Sequence, residues 1–258
     1  MKLPVLYFPV IALICCFMMY GCGNKDAQQN IIAAADKYKA LYSPFFKTGN
    51  DLMDEIVNDH GDGYEPAYGV RNLRVVLHGV MYRSGANNMY NKYSKHGKLS
   101  ITNPLPMLGM ENLCQEGFSG ANYLYSTNYK PYDISCTNRW GKTQTFKYRQ
   151  VSVLDSASNI NKVLDQAYAI IQGNIKGPLN NACWHGWHAS GMISAVALMQ
   201  FCGFTKEEAT QYWIDGTNGY TDYPDIKNQI NTFARDPKFT ISDKVQKAIC
   251  PKNPYHTL

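Results

Sequence analysis

The sequence predicts an α/β domain, a sheet covered by helices on both faces. Three observations carry this: β-prone and helix-prone runs alternate along the chain, residues 160–171 hold one apolar helical face over three turns, and residues 192–201 are apolar almost throughout. Alternation places helices over a sheet rather than in a separate bundle. A helix apolar all round belongs in the middle of such a domain. The elements follow in chain order.

Lys2, the apolar run 3–20 interrupted by Pro4 and Pro9, and the pair Gly21-Cys22 read as a secretory signal over residues 1–22. A small residue before cysteine at the end of such a run resembles a bacterial lipobox, with Met19 at the third position before the cysteine. That resemblance implies cleavage before Cys22 and lipidation of its sulfur. Gly23 after it favours the outer membrane of a Gram-negative envelope, facing the periplasm. An unlipidated signal and a transmembrane anchor are the alternatives.

Residues 23–69 read as a linker and helical extension. Ile31, Ile32, Ala35, Tyr38 and Leu41 have helical spacing, and Leu52 with Ile56 suggests a second short helix before the turn cluster 59–63. That cluster lacks the alternating acidic ligands of a calcium loop and is read as a turn. The main domain spans 70–258. It opens with a β-rich run at 72–77, and the polar stretch 87–105 reads as a long loop. A short helix is expected from Leu108 to Gly117, then strands at 121–125 and 145–153. Ser156 or Ser158 caps the helix through Ile171, with Gly173 as its stop. Residues 177–182 are the strand that delivers Cys183, although Pro178, Asn180 and Asn181 are poor strand formers. Thr205 with Glu208 is a capping-box pattern opening a helix through Trp213, and 225–233 gives another.

The formal net charge of +5 is spread without a Lys/Arg block, so no nucleic-acid footprint is present. Of eight cysteines, setting aside Cys15, Cys16 and Cys22 leaves Cys114, Cys136, Cys183, Cys202 and Cys250. A helix over 189–201, about 20 Å long at about 1.5 Å per residue, separates Cys183 from Cys202 beyond disulfide reach. The economical arrangement joins Cys114 to Cys136 and Cys202 to Cys250 and leaves Cys183 free, in a disulfide-permissive compartment.

The run Cys183-Trp184-His185-Gly186-Trp187-His188-Ala189-Ser190-Gly191 follows a strand and opens a helix, a layout that aims backbone N–H groups and a sulfur at one anion. It resembles the signature of the tyrosine and dual-specificity phosphatases: His-Cys, five residues, Arg, then Ser or Thr. Cys183, Gly186 and Ser190 match; Ala182 replaces the His and Ala189 the Arg. Tyr82-Arg83-Ser84-Gly85 also resembles a segment near the start of many such domains. The resemblance covers about residues 70–215. It implies a single phosphatase-like domain with a mostly parallel sheet of four or five strands and extra N- and C-terminal helices.

By that resemblance Cys183 is the nucleophile, Ser190 stabilises the leaving thiolate, and Asp155, ahead of a helix, sits where the general acid is placed. Phosphate falls to the loop Trp184, His185, Gly186, Trp187, His188 and Ala189. A guanidinium holds two phosphate oxygens at once and an alanine methyl holds none, so Arg83 is the candidate to bring the charge. Arg71, Arg74, Arg139, Arg149 and Arg235 stay open. Bland readings stand beside these: a structural cysteine, a capping Ser190 or Asp155, and a structural ion pair for Arg83. Cys183, His185 and His188 are metal-competent types, but an anion cradle turns side chains outward, so the imidazoles and Trp184 and Trp187 are read as pocket walls. No metal or cofactor is assigned. The expectation is an envelope lipoprotein acting as a phosphoester hydrolase on a phosphorylated small molecule, lipid or protein. Its rival is an inactive pseudophosphatase that binds a ligand or protein partner.

Overall fold

The computed structural model describes residues 10–85, 105–126 and 132–256. Six strands form one sheet: β1 (Arg71–Leu77), β2 (Met81–Gly85), β3 (Gly120–Tyr123), β4 (Tyr132–Thr137), β5 (Thr143–Gln150) and β6 (Leu179–Cys183), in the order β1-β2-β6-β3-β5-β4. The inner strands β2, β6, β3 and β5 pair in parallel, and β1 and β4 close the two edges antiparallel. The helices are α1 (Val10–Tyr42), α2 (Met107–Gln115), α3 (Ala157–Ile171), α4 (His188–Cys202), α5 (Lys206–Asp215), α6 (Pro224–Thr232) and α7 (Asp243–Ile249).

Alternation along the strands divides the core in two. Val75, Tyr82, Ala121, Phe146, Tyr148 and Ala182 face α2 and the end of α1, while Val76, Met81, Leu179 and Cys183 face α3, α4 and α5. Helices therefore cover both faces, as expected of an α/β domain. The six strands exceed the expected four or five because two were not read from sequence. Val80 donates its N–H back to Leu77 O (3.0 Å), making β1 and β2 a tight hairpin. The edge strand β4 is tied to α2 by the Cys114–Cys136 disulfide.

The strongest local signals hold. Ser156 Oγ caps α3 by accepting from Asn159 N, and the buried face is Ile160, Val163, Leu164, Ala167, Ile170 and Ile171. Gly173 ends it with a φ of 75°. Thr205 and Glu208 form both arms of the capping box on α5. Helix α4 is buried from Ala189 to Met199 and at Phe201. Cys202 pairs with Cys250, and Cys183 is the free cysteine among the described residues.

The segment around Leu52 and Ile56 is not a helix. Ile56 and Val57 instead donate their N–H groups to Leu73 O, so the chain runs beside β1. The stretch ahead of the domain packs against it: Tyr38, Tyr42, Leu52, Ile56 and Val57 are all buried in the two cores. Most of the expected polar loop lies outside the described residues; Leu105, at its end, is buried with its N–H donating to the Tyr148 hydroxyl at 2.9 Å. Among the described residues no helix is long and apolar enough to cross a membrane.

Candidate active site

Strand β6 is central, so its asparagines need partners away from water. Asn180 Nδ2 donates to Ser84 Oγ (2.8 Å), and Asn122 Nδ2 donates to both Asn181 Oδ1 (3.0 Å) and Gln166 Oε1 (2.7 Å). These bonds explain how a poor strand sequence is held in the sheet. The strand ends at Cys183, which is 1% exposed, and the loop beyond it passes close over the end of β2. Gly186 has φ 81°, and a Cβ there would fall 2.6 Å from Gly85 N and 2.8 Å from Ser84 C. Only glycine fits both the left-handed conformation and that backbone approach.

Neighbouring elements hold the loop. Asn72, itself at φ 49°, donates Nδ2 to His185 O at 3.0 Å; Arg71 contacts His185 Nδ1 and pairs with Asp59 at 3.1 Å. Trp213 Nε1 donates to His188 O at 3.2 Å. The Cys183 sulfur lies 3.1 Å from Ser190 Oγ, which places it against the first turn of α4. Among the described residues no backbone N–H from Trp184 to Ser190 donates to a protein acceptor. Helix N-termini present such donors together with the positive end of the dipole.

The loop's side chains build one wall of a cavity of about 950 Å³. His185 stacks on Trp187 (centroids 4.6 Å apart), Trp187 stacks on Tyr220 (5.3 Å), and His188 lies 4.0 Å from the Tyr223 ring. His188 Nε2 is also 2.9 Å from Tyr220 O. Burial, and after it the Arg71 charge, holds the His185 imidazole below its usual pKa; burial does the same to His188. Among the described residues no group of three His, Cys, Asp or Glu side chains is placed to hold a metal ion.

Two of the solved structures similar to this chain are as follows. One is the core catalytic domain of the PP-IP phosphatase SIW14 from S. cerevisiae in complex with citrate: 13% identity, 65% of this chain and 88% of that one, TM-score 0.42. The other is TpbA of P. aeruginosa: 15% identity, 62% of this chain and 86% of that one, TM-score 0.40. No family model and no curated protein matches the chain.

The remaining sequence candidates scatter. Ala189 is fully buried at the position of the signature arginine. Asp155 is exposed and lies outside the cavity lining; the carboxylates on that lining are Asp222 and Asp225. Arg74, Arg139 and Arg149 are paired with Glu55, Glu116 and Asp133, and Arg235 donates to Phe204 O. Arg83 is wholly buried, and among the described residues none of its three nitrogens has a hydrogen-bond partner.

Sequence reasoning missed Tyr125, which also lines the cavity; burial, then the neighbouring Cys183, pushes its hydroxyl pKa well above the usual phenol range. It missed Tyr220, Asp222 and Tyr223 as well. Their only sequence signal is a cluster of aromatic and acidic residues in one loop.

Proposed function

We propose that this chain is a cysteine-dependent phosphoester hydrolase whose phosphoryl group sits in the loop from Cys183 to Ser190. The observation that carries this reading is the free, buried Cys183 held 3.1 Å from Ser190 Oγ, where backbone N–H groups without acceptors among the described residues open α4. Oxyanion oxygens satisfy such donors, and a helix N-terminus favours a thiolate.

In the proposed reaction the thiolate attacks phosphorus, forming an S–P bond as the P–O ester bond breaks. The leaving oxygen takes a proton from a carboxyl group of the cavity wall, Asp222 or Asp225. Water, giving a proton back to that carboxylate, then displaces the sulfur and releases inorganic phosphate. Ser190 Oγ hydrogen-bonds the thiolate as it departs.

The binding reading is favoured by a different observation: Ala189 offers no charge, and Cys183 itself does not line the cavity. Turnover of an aryl phosphate by wild type beside Cys183→Ser separates the two. Activity lost in the variant supports hydrolysis, and equal turnover in both leaves only binding.

The proposal extends to location: export, lipidation at Cys22 and residence in the bacterial envelope. Two disulfides in a single domain support an oxidising compartment.

A further inference from the structure

Arg83 carries a charge that the protein buries without compensation. It is 0% exposed, and its Nε, Nη1 and Nη2 all lack hydrogen-bond partners among the described residues, whereas each of the other arginines has one. A guanidinium stays protonated in proteins, and a buried one without an anion is strongly disfavoured.

The seat is nonetheless built for it. A Cβ on Gly216 would fall 2.3 Å from Nη2, and one on Gly191, in α4, would fall 2.9 Å from Nη1. The Tyr212 ring lies 4.9 Å from the guanidinium carbon. Two glycines and an aromatic face thus leave room for this side chain beneath the start of α4, where the helix dipole adds a second positive field.

The sheet register puts Arg83 on the same face of the sheet as Cys183. Arg83 pairs with Asn181 across parallel strands, so the two share a face, and the next residue of β6 on that face is Cys183. Loss of water holds the guanidinium pKa below its usual value. The groups that then act on it are Tyr212, Arg74, Cys183 and Glu55. Glu55 is already paired with Arg74 at 2.7 Å. Among the described residues Cys183 is in no ion pair; its sulfur meets the hydroxyls of Ser190 and Tyr125, and Arg71 is the other cation that acts on it.

We propose that Arg83 is the buried counter-ion of the Cys183 loop, supplying from beneath the first turn of α4 the positive charge that Ala189 withholds. It stabilises the Cys183 thiolate and, with the loop N–H groups, an oxyanion such as inorganic phosphate. Acting through the sulfur, it is a positioning residue. The inference rests on reading the loop as an anion cradle.

Thiolate absorbance near 240 nm, followed against pH with Cys183→Ser as blank, tests it without requiring turnover. The readout is the midpoint of that absorbance change in wild type and in each variant. Arg83→Met is expected to raise it by about one unit or more, a tenfold loss of thiolate at a fixed pH below the midpoint, while Arg83→Lys retains most of the effect. Gly216→Ala, which displaces the guanidinium without deleting it, shifts the midpoint the same way and guards against an Arg83→Met chain that does not fold. An unchanged midpoint in folded Arg83→Met, or in Gly216→Ala should Arg83→Met not fold, overturns the proposal. Loss of aryl phosphate turnover in Cys183→Ser is scored separately. Equal turnover in wild type and Cys183→Ser would overturn the hydrolase reading, whatever the midpoints show.

Discussion

Gly186→Ala isolates the geometry of the loop. Two costs add at this position. The first is the left-handed backbone, φ 81°, which costs a non-glycine residue about 1–2 kcal/mol. The second is the contact with Gly85 N at 2.6 Å and Ser84 C at 2.8 Å, both backbone atoms of a central strand that cannot swing aside. Relief requires the loop itself to move by a large part of an ångström. Gly203 supplies the control, since it has φ 79° but nothing within 4 Å of where an alanine Cβ would stand. Gly203→Ala should therefore cost about 1 kcal/mol, about 2–4 °C in Tm for a domain of this size. Gly186→Ala should cost about 3 kcal/mol and shift Tm correspondingly further. Because a misplacement of about 1 Å can cost about 10²-fold, aryl phosphate kcat/KM should fall by that order in Gly186→Ala and hold in Gly203→Ala. Calorimetry and steady-state kinetics on the two variants read both costs. Equal Tm shifts with unchanged kcat/KM in both would refute the claim that the backbone approach at Gly186 shapes the site.

Ser190→Ala removes the hydroxyl 3.1 Å from the sulfur, so release of the thiolate should slow and a burst of alcohol should precede steady turnover; absence of any burst with unchanged kcat counts against that role. Asp222→Asn or Asp225→Asn should lower kcat for a poor leaving group about 10²-fold or more, while Asp155→Asn, exposed and off the cavity, should not. The reverse pattern would restore Asp155 as the acid. His78, whose side chain is buried, meets Asp51 at 2.5 Å; burial lowers the His78 pKa, and the Asp51 carboxyl, despite its own burial, is held low by His78. Both folded pKa values are depressed, so stability is fully present above the unfolded histidine value of about 6.5 and declines as pH falls, through the histidine range and then the carboxylate range. Denaturant titrations across that window should show a shallower decline in His78→Gln; parallel curves would remove the pair from the account.

What could be read from sequence had local physical causes. The cap and apolar stripe of α3, the Thr205 capping box and the mostly apolar α4 depend on near neighbours, and the length of α4 is what keeps Cys183 from pairing with Cys202. The features that escaped depend on distant neighbours. Leu52 and Ile56 have helical spacing, yet their segment is claimed by β1 through Leu73. Arg83 is the residue the sequence offers to bring the charge, but its complete burial is not legible there; the room for it comes from Gly191 and Gly216, over a hundred positions away by the numbering. The cysteine loop itself was legible, but its acidic and aromatic wall from Tyr220 to Asp225 lies in a loop without periodicity.

The central claim is that the Cys183 sulfur takes the phosphoryl group. Acid-quenching the protein during turnover of an aryl phosphate and mapping its peptides by mass spectrometry tests this most directly. One phosphorylated cysteine, Cys183, is expected, and it is lost in Cys183→Ser. A label on any other residue, or turnover with Cys183 found in a disulfide, would contradict it.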